Sequence, residues 1–356
     1  MTASRVDAVT AFWQRSAALT IRRAILVAVP LLLAGCGASG AAAPPSGSVA
    51  AHWERFRHLH GVVDLSGRRA DGRLSVSAAG RLFLLRPGRA PVPFARGPGG
   101  YRAGAGDEPY IAVSPSGRVV GGSCSFPSDD VYALVLGSHP GVEVVDRHGH
   151  ARRFADLPDG ETPKGIAFDT VGRFGGRLLV TGAAGNATPV FALDCQGTVQ
   201  VLTRSAPRVE GGIVVAPLSF GRYGGQLIAP DEKSGRVVAI DQRGGARTIA
   251  RSGLATGSDV GIESAGFVPR GFTRAGAAYL ADRGAPGGAH PGTDSILILR
   301  GTALAGAGVA PGDLLVASEG GAETIAVRCR TTCTVRHVAD GPRVTHAEGH
   351  IVFEPR

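Results

Sequence analysis

The sequence predicts an all-β fold: a six-bladed β-propeller of four-stranded antiparallel blades, preceded by a signal peptide and a flexible tether. Three observations lead there. A glycine followed by a small or polar residue and an apolar run recurs along the chain. Each recurrence sits among further short apolar runs separated by turn residues. Glycine is also abundant, at 54 of 356 residues, without a collagen period, which signals many turns.

The copies begin at Gly72, Gly117, Gly176, Gly225, Gly276 and Gly312, at intervals of 45, 59, 49, 51 and 36 residues. Two of them match closely: Gly172-Arg173-Phe174-Gly175-Gly176-Arg177-Leu178 corresponds to Gly221-Arg222-Tyr223-Gly224-Gly225-Gln226-Leu227. The fourth unit reads as four strands, at Gly212 to Ala216, Gln226 to Ala229, Arg236 to Ile240 and Ala246 to Ala250. The third repeats this at Gly165 to Phe168, Arg177 to Thr181, Val190 to Asp194 and Val199 to Thr203. In the second unit the strands fall at Pro109 to Val113, Arg118 to Gly121, Val142 to Asp146 and Ala151 to Ala155. A four-stranded meander cannot bury both faces alone, so such units must stack around an axis. Six fill residues 60 to 353. The sixth lacks a first strand before Gly312, and the Ala/Gly-rich stretch Thr302 to Ala310 predicts a short helix. The C-terminal run Glu348 to Phe353 resembles the first strands of other units, so it is expected to complete the last blade and close the ring.

The leader comes next in the argument. Arg5, Arg15, Arg22 and Arg23 face one acid, Asp7, and precede an uncharged apolar run of 11 residues from Ala24 to Ala34. A spanning helix needs roughly 20 apolar residues, so this is a signal peptide's pattern. The run ends in Leu33-Ala34-Gly35-Cys36, which resembles the lipobox of bacterial lipoproteins. That resemblance implies cleavage before Cys36 and diacylation of its thiol. Two acyl chains anchor stably where one does not. The expected organisation is thus signal peptide 1–35, lipidated cysteine and tether 36–51, and propeller 52–356. The tether is Gly, Ala, Ser, Pro and Val, with little to bury. The expected address is the extracytoplasmic side of a cell membrane.

The net charge is +9; four arginines and one aspartate place +3 of it in the leader and leave about +6 beyond. A basic surface can meet anionic lipids or wall polymers. No basic cluster is interleaved with aromatics, so nucleic acid is not an expected partner. Four cysteines remain: Cys329 and Cys333 flank a three-residue turn, and Cys124 and Cys195 are the other two. An even count in an exported chain favours disulfides, and no CxxC pair suggests zinc.

In a propeller the starts of the inner strands meet at one mouth of the channel. The candidates there are Glu108, Lys164, Glu210, Glu263, Glu348, His60, His346 and His350. Converging carboxylates repel one another and call for a cation or raised pKa values. Oxygen ligands suit Ca²⁺ or another divalent cation better than zinc. Glu348, Glu263 and Glu210 are the metal candidates.

The units resemble the six-bladed propellers of the senescence-marker-protein/gluconolactonase-like and NHL families. The residues that carry this are Pro163-Lys164-Gly165-Ile166-Ala167-Phe168, the run Gly176 to Val180, and the Asp-x-x-Gly turns at Asp146, Asp194 and Asp241. The lactonase-like members hold a divalent metal with an inner-strand glutamate, an asparagine and an aspartate. Glu348-Gly349-His350-Ile351 resembles their Glu-Gly-Pro-x start. Lys164 stands where they carry asparagine, and Glu263-Ser264-Ala265 is nearest their Asp-Gly element. No GxSxG elbow, HExxH, P-loop or EF-hand loop is present. Two functions follow. One is a membrane-anchored, non-catalytic propeller that binds a small ligand or envelope protein. The other is a metal-dependent lactonase-like hydrolase using the mouth carboxylates.

Overall fold

The computed structural model describes residues 50–95, 100–104, 108–119, 124–158 and 161–355. The leader, Cys36 and nearly all of the tether lie outside the described residues.

The architecture is all-β and propeller-like, with four-stranded antiparallel blades. Four blades stand as separate sheets. They contain the strands Val62–Arg68, Leu74–Ala78, Arg81–Leu85 and Val92–Phe94; Ile111–Val113, Val131–Val135, Gly141–Val145 and Ala151–Asp156; Thr162–Phe168, Leu178–Ala183, Ala187–Leu193 and Val199–Pro207; and Val214–Val215, Leu227–Asp231, Arg236–Ile240 and Ala246–Arg251. The third and fourth units match the strands predicted for them. In the second, Val131–Val135 takes the place expected of Arg118 to Gly121, because Gly117–Arg118 turns aside into a two-residue ladder with Ser125–Phe126.

The remaining strands depart from six separate blades: they form one nine-stranded sheet. Ile262–Phe267 does not pair with the next strand in sequence, Ala277–Asp282. It pairs with Leu314–Ser318, which continues through Thr324–Cys329 to Cys333–Asp340. Ala277–Asp282 and Ser295–Arg300 pair with each other, and the C-terminal strand Ala347–Glu354 runs antiparallel beside Ala277–Asp282. The expectation that the C-terminal strand would serve the last unit is therefore corrected: it serves the fifth, whose own first strand serves the sixth. The two ladders meet at one parallel bridge, Ala265 to His350. The N-terminal strands finish both outer edges, Glu54–His58 on Ser295–Arg300 and Ala51–His52 parallel to Cys333–Asp340. The expected helix forms at Gly301–Gly306.

Alternation on the inner strands sends one face into each layer between neighbouring sheets. Phe126, Tyr132 and Phe168 pack edge-on in one such layer. Leu280, Leu297, Leu315 and Ala326 fill the layer between the halves of the nine-stranded sheet.

All four candidate cysteines are bonded, and the structure pairs them as Cys124 to Cys195 and Cys329 to Cys333. The first spans 71 residues of sequence and the second only 4. Loop-closure entropy then predicts unequal effects. Replacing Cys124 and Cys195 by serine should cost about 4 kcal/mol, and replacing Cys329 and Cys333 about 2 kcal/mol. Chemical denaturation of the two double variants checks this order.

Candidate functional site

The inner strands all start on the same side, and their first residues line a cavity of about 810 Å³. Glu108, Lys164, Glu210, Glu263, His346 and Glu348, predicted from the sequence, lie around it. His60 does not. Its ring is exposed and its Nδ1 lies 2.8 Å from Asp294. His350 is also displaced from the mouth. It lies two residues beyond Glu348 on the same side of its strand, and so one step further down the axis.

There it plugs the channel. Asp64 is fully buried and accepts the backbone N–H groups of Leu65, Ile111 and His350. His350 Nδ1 lies 3.0 Å from both Asp64 oxygens, and Nε2 lies 3.1 Å from the Ile213 carbonyl. With acceptors at both nitrogens, both carry protons and the ring is an imidazolium. Burial opposes that charge, but Asp64 outweighs it and raises the His350 pKa.

At the mouth, three predicted acids are neutralised by cations. Arg283 Nη1 lies 2.5 Å from Glu108 and 3.1 Å from Glu348. Arg208 and Lys164 hold Glu210, the latter at 3.5 Å. The predicted metal set of Glu348, Glu263 and Glu210 is therefore not the set that converges. The carboxylates that do lie within 4.8 Å of one another are Glu232, Glu263 and Glu319; Glu319, His346 and Glu348 form a second such group. The reason is topological. The second strand of each blade runs back to the mouth, so residues just past its end join those at inner-strand starts. Glu232 follows Leu227–Asp231, Arg283 follows Ala277–Asp282 and Glu319 follows Leu314–Ser318. The repeated acid or arginine directly after the second apolar run was the signal that could have found them.

Tyr110 ties the two ends of this cluster together. Its hydroxyl lies 2.7 Å from Glu263 and 2.5 Å from Glu348. One phenol proton cannot serve two carboxylates, so one carboxyl holds a proton as well. Burial and the charge of Glu348 raise Glu263 well above the usual carboxylate range. Burial acts against ionised Glu348 too, but the His346 hydrogen bond and the Arg283 charge overcome it and lower its pKa. Glu263 is therefore the protonated partner. Burial and repulsion from Glu210 and Glu319 push Glu232 up to about 7. His346 Nε2 lies 2.8 Å from Glu319 and 3.5 Å from Glu348. Burial opposes its charge, but those carboxylates raise it to about 10. The second oxygen of Glu319 is buried with no hydrogen-bond partner.

No protein-family model matches the chain. No curated protein sequence matches it either. Among solved structures, the fold is similar to that of virginiamycin B lyase from Staphylococcus aureus, with TM-score 0.46, 9% identity, and coverage of 80% of this chain and 73% of that one. It is similar to regucalcin, a calcium-binding protein of Agrobacterium tumefaciens, with TM-score 0.45, 13% identity, and 85% and 82% coverage. A gluconolactonase from Xanthomonas campestris matches with TM-score 0.39, 16% identity, and 65% and 70% coverage.

Proposed function

We propose that this chain is an extracytoplasmic lipoprotein, anchored through Cys36, whose propeller binds a cationic ligand at its acidic mouth and catalyses no reaction. The observation that carries the reading is the uneven neutralisation of the mouth. Seven carboxylates face Lys164, Arg208, Arg283 and two histidines. Glu108, Glu210 and Glu348 are taken by the cations, whereas Glu232 and Glu263 crowd against Glu319: Glu263 holds a proton, and Glu232, with only a 3.6 Å contact to Arg208, is pushed up to about 7, while Glu319 shares His346 at one oxygen. A cation entering among them would replace those protons. The unpartnered oxygen of Glu319 fits that role, and an all-oxygen set suits Ca²⁺.

We also count the ring as six blades, taking the nine-stranded sheet as one four-stranded ladder and one four-stranded ladder extended by the two-residue strand Ala51–His52. The single parallel bridge between them and the six apolar layers among the described residues support this count.

Calorimetric titration with Ca²⁺ tests the reading. Binding should release protons and weaken as pH falls through 7, where Glu232 protonates. Glu319→Gln should lose at least about tenfold in affinity, the scale of one charge-assisted contact. No heat with calcium and an unchanged melting point after chelation would exclude a divalent ion and leave organic ammonium ligands to be titrated in the same way. The second reading, a lactonase-like hydrolase, rests on the same three carboxylates. They would hold the metal, which would polarise a lactone carbonyl. Turnover of an aldonolactone that disappears in Glu263→Gln would establish it.

A further inference from the structure

The opposite end of the propeller has different chemistry. The inner strands end around a cavity of about 400 Å³ lined by Val113, Phe168, Val215, Phe267, Val352 and Phe353, among others. The loops that leave these ends carry Arg68, Arg173, Arg222, Arg270 and Arg274, and the hairpin turn with Arg330 lies against Gly221. All six arginines are exposed, and none has an ion pair among the described residues. The aspartates on these arginine-bearing loops, or hydrogen-bonded to one of them, are occupied. Asp71 pairs with Arg73, and buried Asp313 pairs with Arg328. Buried Asp169 accepts four backbone N–H groups of its own loop. On the loop that carries Arg222, Leu218 projects into solvent with 58% of its surface exposed.

We propose that this arginine face docks on an anionic lipid surface, which leaves the acidic mouth pointing away from it. Guanidinium groups pair with lipid phosphates, and an exposed leucine beside an apolar funnel suits the acyl boundary. A soluble polyanion would use the arginines but gain nothing from Leu218. The mouth's cations are paired with its carboxylates, whereas these six arginines are not, so an anionic surface attracts this end more strongly than the mouth, which orients the molecule.

The test uses the mature chain from residue 36 carrying Cys36→Ser, so that neither the leader nor an acyl chain contributes, and compares vesicles of phosphatidylcholine with and without phosphatidylglycerol. Binding should be tighter with phosphatidylglycerol and should fall as salt shortens the screening length. The triple variant Arg222→Ser, Arg270→Ser, Arg274→Ser should lose about fivefold per arginine, roughly a hundredfold in all. Leu218→Ser should weaken binding to vesicles but not to polyphosphate. Arg251→Ser and Arg343→Ser, at the other end of the blades, should change nothing. Equal affinity for both vesicle types, or a triple variant that binds as the parent does, overturns the proposal. Polyphosphate binding as tight as vesicle binding, with no effect of Leu218→Ser, reassigns the face to a polymer and overturns it as well. The salt dependence of the parent chain answers the question even if a variant fails to fold.

Discussion

Removal of residues 345–356 should leave a chain with no cooperative unfolding transition. The deleted strand is the innermost of its ladder and is flanked on both sides, antiparallel by Ala277–Asp282 and through the bridge to Ala265. Without it both neighbours gain unpaired edges inside the ring. Burial of Ile351 and Val352 is lost, at about 1.5–3 kcal/mol each. Asp64 is left as an unpaired buried charge, at about 3–5 kcal/mol. The sum, about 6–11 kcal/mol, is comparable to the whole stability of a typical domain. The Ile262–Phe267 crossover adds to the effect, since two ladders share the seam that the deleted strand closes. Circular dichroism and melting of the truncated chain check this. A melting curve like that of the full chain would mean that the ring closes without its C-terminal strand.

Asp64→Asn should be the most destabilising single substitution in the channel, at about 3–5 kcal/mol. The carboxylate accepts from three backbone amides and from the His350 ring. An asparagine there offers one oxygen and an NH₂ group, which would face an N–H donor, and it leaves the imidazolium buried without a counter-charge. The pH dependence distinguishes this from a packing defect. The pKa of His350 is raised in the folded state, so the ion pair's contribution is fully present below the ordinary histidine value of about 6.5. It is lost as pH rises through the raised value. The stability gap between parent and variant should therefore be widest in mild acid and narrow in alkali. Denaturant titrations across that range measure it, and a gap independent of pH would place the effect in the amide hydrogen bonds rather than in the charge pair.

The candidate site was half legible. Inner-strand starts could be aligned at the offset of 49 residues, and this located Glu210 and, by extension, Glu108, Lys164, Glu263 and Glu348. The second-strand ends were not aligned, so Glu232, Arg283 and Glu319 were missed, although they decide which carboxylates stay unneutralised. Tyr110 was missed because an aromatic residue at the start of a strand reads as core; its hydroxyl at Glu263 and Glu348 depends on a contact across 153 and 238 residues of chain.

The repeat, the four-stranded meanders and the even set of four cysteines beyond the leader were determined by the sequence alone, because each rests on local alternation, turn residues or residue counting. The expected lipid anchor at Cys36 is also a local pattern and stands as a proposal. The tertiary structure alone decided which strand serves which blade. Ile262–Phe267 and Ala347–Glu354 have similar inner-strand patterns, so either satisfies the local rules; packing across the seam and the Asp64–His350 pair select the exchanged arrangement. It also decided the chemistry at the mouth, since the pKa of a carboxylate depends on charges within a few ångströms that the chain contributes from distant positions.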